Sequence, residues 1–137
     1  MYILMTKIFI NLPVTDLAKS TAFYKAIGFT QNMQFSNQDA SGMAFDDTIH
    51  VMLLTHGFAK TFLPHKEIAD SQKTCEVLNA LSFDSREAVD NFVATALAAG
   101  ANEFRPAYDH GFMYGRDFED LDGHIREIFW MDPSNVQ

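Results

Sequence analysis

The residues best suited to chemistry lie in the last third of the chain. Glu127 sits in Ile125-Arg126-Glu127-Ile128-Phe129-Trp130, a run that is otherwise apolar or aromatic apart from Arg126. Side chains alternate between the two faces of a strand, so Glu127 shares a face with Ile125 and Phe129. On a face shielded from water a carboxyl group is poorly solvated and its pKa rises toward neutrality, the condition for a general base working near pH 7. The alternative is a carboxylate satisfied by a hydrogen bond from a Tyr or Asn, with no chemistry attached. Just upstream, Tyr108-Asp109-His110-Gly111-Phe112-Met113-Tyr114-Gly115-Arg116-Asp117-Phe118 is dense in polar aromatics and donors. Alternation puts Phe112, Tyr114, Arg116 and Phe118 on one face, where Tyr114 and Arg116 could orient a carboxylate, phosphate or enolate by charge-assisted hydrogen bonds. Equally, Arg116 could form a surface pair with Asp117 or Glu119 on an edge strand. His110, beside Gly111, reads as a residue at the entry of a hairpin rather than as an acid. Cys75 has no activating partner nearby in sequence and reads as an inert buried thiol.

Composition narrows what such residues could serve. Ten basic residues against eighteen acidic ones in 137 give a formal net charge of −8, which repels phosphate backbones and argues against nucleic acid as a partner. A single cysteine excludes an internal disulfide framework and a cysteine-based zinc cluster. No run approaches the roughly 20 apolar residues a membrane span needs, and the apolar start, Met1 to Thr6, is too short for a signal peptide, so a soluble cytoplasmic protein is expected. Thirteen Phe and seven Met read either as a core of large, deformable side chains or as the lining of an apolar ligand cavity.

The elements that must hold these residues can be read along the chain. Lys7 to Val14 is a β-rich run whose Pro13 suits a strand end. Thr15 or Asp16 caps a helix carrying Leu17, Ala18, Phe23, Ala26 and Ile27, and Gly28 ends it. Phe29–Phe35, Met43–Phe45 and Ile49–Leu54 then read as three strands. The pattern restarts with a strand over Val77–Phe83, a cap at Asp84 or Ser85, a helix with Val89, Phe92, Val93, Ala96 and Leu97 on one stripe, and Gly100 as its stop. Strands over Ala101–Tyr108, Phe112–Phe118 and His124–Met131 follow, the last two joined by the turn Asp120-Leu121-Asp122-Gly123. A βαβββ unit thus repeats after about 70 residues, each half marginal on its own. The expected layout is one domain over 1–137, with a first module at 7–55, a second at 76–131, and 56–75 between them as a linker packed outside or a lid over a pocket.

Leu12-Pro13-Val14-Thr15-Asp16-Leu17-Ala18-Lys19-Ser20-Thr21-Ala22-Phe23-Tyr24 with Ile27-Gly28-Phe29, and Asp120-Leu121-Asp122-Gly123-His124-Ile125-Arg126-Glu127-Ile128, together with the repeat, resemble the vicinal oxygen chelate superfamily. Its members include glyoxalase I, bleomycin-resistance proteins, fosfomycin-resistance enzymes and extradiol dioxygenases. The resemblance covers nearly the whole chain. It implies an α+β fold in which two tandem βαβββ modules form a curved, cup-shaped mixed sheet, with helices outside and the site inside. Metal-dependent relatives place a His on the first strand, a Glu on the fourth, a His or Glu on the fifth and a Glu on the eighth. Here those positions fall at Phe9, at Leu53 (Met52 if the register slips), at Leu78 and at Glu127. Phenylalanine and leucine have no donor atom, so only Glu127 is retained, and neither the familiar metal site nor another cofactor is expected. His50 would face away from Leu53, His124 away from Glu127, and His56 and His65 lie in the linker. A rearranged divalent site from Glu76, Glu127 and His110 is the lesser alternative.

Two main functions follow from the resemblance, and it leaves open whether the protein is an enzyme. The first is a metal-independent binder of a small organic molecule, of the bleomycin-resistance type, with Phe9, Asn11, Leu53, Leu78, His110, Tyr114, Glu127 and Phe129 around the ligand. The amide of Asn11 would hold a ligand carbonyl. The second is a lyase or isomerase of the lactoylglutathione-lyase type, with Glu127 as the base that moves a proton next to a carbonyl and Arg116 or Tyr114 steadying the enolate. A partner protein whose cup is filled by its own side chains is the third. Relatives are commonly homodimers, and the same is expected here.

Overall fold

Ile8 to Val14 alternates as the sequence suggests, and in the structure, a computed structural model that describes residues 5–135, it forms strand β1 (Ile8–Val14) with Leu12 and Val14 buried. Residues 1–4 of the apolar start and the last two of the 1–137 domain lie outside the described residues. The Asp16 side chain accepts the Lys19 N–H and opens α1 (Leu17–Ala26). Strands β2 (Thr30–Asn32), β3 (Ala40–Ala44) and β4 (Ile49–Thr55) complete a four-stranded mixed sheet in the order β1-β4-β3-β2. β1 is an edge strand, where a proline such as Pro13 is tolerated. β2 ends three residues earlier than its apolar run. The Asn32 side chain accepts the Gln34 N–H and its carbonyl takes the Ser36 hydroxyl, which winds Met33–Phe35 into a single 3₁₀ turn. α1 packs on the face that presents Leu12, Met43, Val51 and Leu53, and the Thr21 and Ser41 hydroxyls meet there at 2.7 Å.

The chain divides into two compact units after Ile68. In the second, Ser85, not Asp84, supplies the cap of α3 (Arg86–Ala98) by accepting the Ala88 N–H. Strands β5 (Asn79–Ser82), β6 (Asn102–Asp109), β7 (Met113–Glu119) and β8 (Ile125–Met131) form a second four-stranded mixed sheet in the order β5-β8-β7-β6. This is the strand order of the first sheet, so two βαβββ modules are present. Val89, Val93 and Ala96 of α3 are fully buried, as are Phe118 and Ile128 of the sheet. The segment between the modules is partly ordered into α2 (His56–Lys60), capped by the Thr55 hydroxyl. Ala59 of α2 packs with Ala40 and Leu54, and Met52, Phe58 and Ile68 join them. Cys75 is exposed, because β5 starts at Asn79 and leaves Cys75 to Leu78 outside the sheet. Among the described residues no helix is long and apolar enough to cross a membrane.

Candidate functional site

In the second sheet the pairing decides which side chains meet. Ala80 pairs with Glu127, and Glu127 with Asp117, so these three share the face turned away from α3. β6 reaches that face through a fault in its register. Arg105 pairs with Asp117 and Tyr108 with Gly115, so Pro106 and Ala107 on β6 oppose Arg116 alone on β7. The extra residue is a β-bulge around Pro106, and it brings Arg105 and Tyr108, which regular alternation would oppose, onto one face.

Asp117 is almost fully buried, at 1% exposure, and both its oxygens are engaged. Arg105 Nε donates to Oδ2 at 2.5 Å and the Tyr108 hydroxyl donates to Oδ1 at 3.1 Å. A buried carboxylate needs such a cation and such donors to offset its lost hydration. The Arg105 guanidinium lies over the Tyr108 ring, 4.3 Å from its centre, and the ring also lies close against Gly115. A β-carbon at Gly115 would stand 2.3 Å from the Tyr108 ring, so glycine is the residue that fits. Burial, followed by the Asp117 charge, pushes the Tyr108 phenol up to about 12, which keeps it a proton donor at neutral pH. The hydrogen bond to Asp117 likewise raises the Arg105 pKa. Arg105 Nη2 also reaches Glu127 Oε2, at 3.5 Å.

Arg105, Tyr108 and Glu127 line one side of an open cleft of about 480 Å³, completed by Ala80, His110, Met113, Phe129 and Met131, with Asp117 buried behind them. Glu127, His110 and Phe129, all singled out from the sequence, are thus brought together. Glu127 is not the unsolvated acid that its apolar strand suggests: its side chain is 24% exposed and a cation stands beside it. Arg105 and Tyr108 escape a reading by alternation, although Pro106 inside a strand pattern is the signal for the bulge that recruits them.

Other residues lie elsewhere. Tyr114 and Arg116 do share a face, but it is the one packed on α3. The Tyr114 hydroxyl donates to Asp90 at 2.7 Å, and Arg116 spans Asp90 at 3.2 Å and Glu103 at 2.5 Å. They tie α3, β7 and β6 together on the side opposite Glu127, with neither Asp117 nor Glu119 as the partner of Arg116. In the first sheet, Leu53 pairs with Leu12 on the α1 face and is fully buried. The residue beside Asn11 on the opposite face is Met52, matching the place of Glu127 beside Ala80 in the second sheet. His50 pairs with Phe9 and stacks on it at 4.4 Å, so it shares the face of Phe9 and Asn11 rather than facing away. Leu78 precedes β5 and is 51% exposed.

The first sheet's corresponding face is partly covered by its own unit. Phe35 meets Phe9 edge-on and lies so close to Gly42 that a β-carbon there would be 2.9 Å from Phe35 Cβ, while α2 and Ile68 cover Leu54. Among the described residues, no three His, Cys, Asp or Glu side chains converge as metal ligands. The positions that the resemblance assigns to metal ligands fall at Phe9, at Met52 rather than Leu53, at Leu78 and at Glu127, and these side chains do not fit a divalent ion: two hydrocarbons, a weak thioether and one carboxylate already beside Arg105.

Residues 6–39 match the family model described as bleomycin resistance protein-like N-terminal. No curated protein matches the sequence. Among solved structures, a hypothetical protein from S. aureus is 28% identical, with a TM-score of 0.76 over 93% of this chain and 94% of that one. A glyoxalase/bleomycin resistance protein/dioxygenase family enzyme from Burkholderia phytofirmans superposes with a TM-score of 0.77 at 20% identity, over 90% and 96% of the two chains. A genomically encoded fosfomycin resistance protein from Listeria monocytogenes does so at 0.66 and 21%, over 98% of each.

Proposed function

We propose that the chain is a member of the vicinal oxygen chelate superfamily, and that it binds a small organic molecule in the cleft of its second module, without a metal ion. One observation carries this reading: an open cleft lined by Met113, Phe129 and Met131, with an Arg105–Asp117–Tyr108 cluster and Glu127 converging at one side. Apolar walls with a few convergent polar groups are the usual make-up of a ligand site. The donor chemistry at Phe9, Met52 and Leu78 supports metal independence. The lyase reading loses support in the form the sequence suggests, because Tyr114 and Arg116 face α3 and cannot steady an enolate beside Glu127. The net charge of −8 supports the absence of a nucleic-acid partner, and exposed apolar side chains such as Phe62, Val77 and Phe104 support a homodimer; light scattering on the purified protein tests the dimer.

Thermal unfolding against a panel of small organic molecules tests the main reading. A ligand present at 100 times its dissociation constant stabilises the folded state by about 2.7 kcal/mol. The expected result is a set of compounds that raise Tm in the wild type but not in Met131→Glu, which puts a charge on an exposed cleft position. Ligands that stabilise both proteins equally, or a stoichiometric divalent ion held by Glu127 after dialysis, would count against the proposal.

A further inference from the structure

Arg105 has more capacity for hydrogen bonding than its protein partners use. Its Nε is committed to Asp117 at 2.5 Å, but its Nη2 meets Glu127 only at 3.5 Å, well beyond the roughly 2.7–2.9 Å of a good charge-assisted bond. The Arg105 side chain is 48% exposed and that of Glu127 24%, so the guanidinium is accessible to a molecule in the cleft. Glu127, being partly exposed, can turn to water when displaced. The apolar body of a ligand would lie against Met113, Phe129 and Met131.

We propose that Arg105 is the recognition cation of this cleft, and that the cleft selects small apolar molecules bearing a carboxylate, whose oxygens displace Glu127 from the outer edge of the guanidinium. The proposal rests on the cleft being the binding site. A planar fork of N–H donors matches a carboxylate in two parallel bonds, which the single long contact to Glu127 does not achieve. A cationic ligand would have to enter beside that guanidinium. Glu127 then sets the threshold for binding, since every ligand carboxylate must outcompete it.

Three probes of the same size but different charge test this: benzoate, benzyl alcohol and benzylamine, titrated while the methionine methyl resonances are followed by NMR. In the wild type, benzoate is expected to bind about tenfold more tightly than benzyl alcohol. In Glu127→Gln, which removes the competing charge, benzoate should tighten by a further factor of about ten, well beyond any change in benzyl alcohol. Arg105→Gln leaves Asp117 buried without its cation and endangers folding, so Arg105→Lys, which keeps the charge but not the fork, is the second variant; it should lose most of the preference for benzoate. Equal binding of benzoate and benzyl alcohol in the wild type, a preference for benzylamine, or a benzoate affinity untouched by both Arg105→Lys and Glu127→Gln overturns the role of Arg105. If benzyl alcohol still binds, and Met131→Glu abolishes that binding, the cleft survives as a site although the carboxylate preference falls. Binding of none of the three overturns both.

Discussion

At the scale of single residues, the cleft depends on one missing side chain. Tyr108 occupies the space that a side chain at Gly115 would need, so Gly115→Ala must displace the ring and disturb its bond to Asp117. Overpacking of this kind costs about 1–3 kcal/mol, measurable as a lower urea midpoint, and it should also weaken ligand binding. Tyr108→Phe keeps the ring but leaves Asp117 Oδ1 without its donor, at a cost of about 1–3 kcal/mol. Ultraviolet titration should show one tyrosine ionising near 12 in the wild type and not in Tyr108→Phe. Because folding raises this pKa above its ordinary 10, the phenol's contribution to stability is complete below about pH 10 and is lost as pH rises from there through 12. Leu53→Ala provides the opposite control. It removes a fully buried side chain on the α1 face, so it should cost about 2–5 kcal/mol and leave the binding constant of any cleft ligand unchanged.

At the scale of elements, Arg86 clamps the turn end of the β6–β7 hairpin to α3. Arg86, at the start of α3, pairs with Asp109, donates to the Gly111 carbonyl at 2.9 Å, and lies 5.2 Å from the ring centres of both Tyr114 and Trp130. The hairpin carries Tyr108, His110 and Met113 of the cleft, so this clamp positions the rim. Arg86 draws the Asp109 carboxyl down to about 2. The clamp therefore holds fully above about pH 4 and is released as pH falls through 2. Trp130, the one tryptophan, should report that release as a fluorescence change that Asp109→Asn shows already at neutral pH. An acid transition identical in wild type and Asp109→Asn would refute the assignment. Much of this level was legible in the sequence: a cap at Thr15 or Asp16, another at Asp84 or Ser85, and the repeat of about 70 residues follow from capping and hydrophobic period, and the structure selects Asp16 and Ser85. The facing of β4 was not legible. His50-Val51-Met52-Leu53-Leu54 is apolar on both sides, so alternation carries no signal there and Leu53 reads as well as Met52. In β7 alternation groups Tyr114 with Arg116 correctly, yet only the placement of Asp90 on α3 tells which face they take. In β6 a bulge breaks the period on which any such reading rests.

At the scale of the whole molecule, the two modules share a strand order but have diverged in what lies on the face away from their helix. In the first, Phe35 seats on Gly42, Phe9 stacks on His50, and Ala59 and Ile68 pack over Leu54 and Ala40. In the second, the equivalent face carries a buried carboxylate, the cation that neutralises it, and an open cleft. A repeat permits this division because each unit keeps its own core against its own helix: α1 over Met43, Val51 and Leu53, and α3 over Phe118 and Ile128. One sheet face can then change without unfolding the other unit. Amide hydrogen exchange with and without a bound ligand tests the division. Slowed exchange should fall on β6 and its hairpin through residue 113, on β8 from Glu127 to Met131, and on Ala80. Amides of Phe9, Asn11 and Met52 should exchange at the same rate in both states. Protection spread equally over both sheets would mean that the first module also holds the ligand, and that the packing of Phe35 and α2 gives way when it binds.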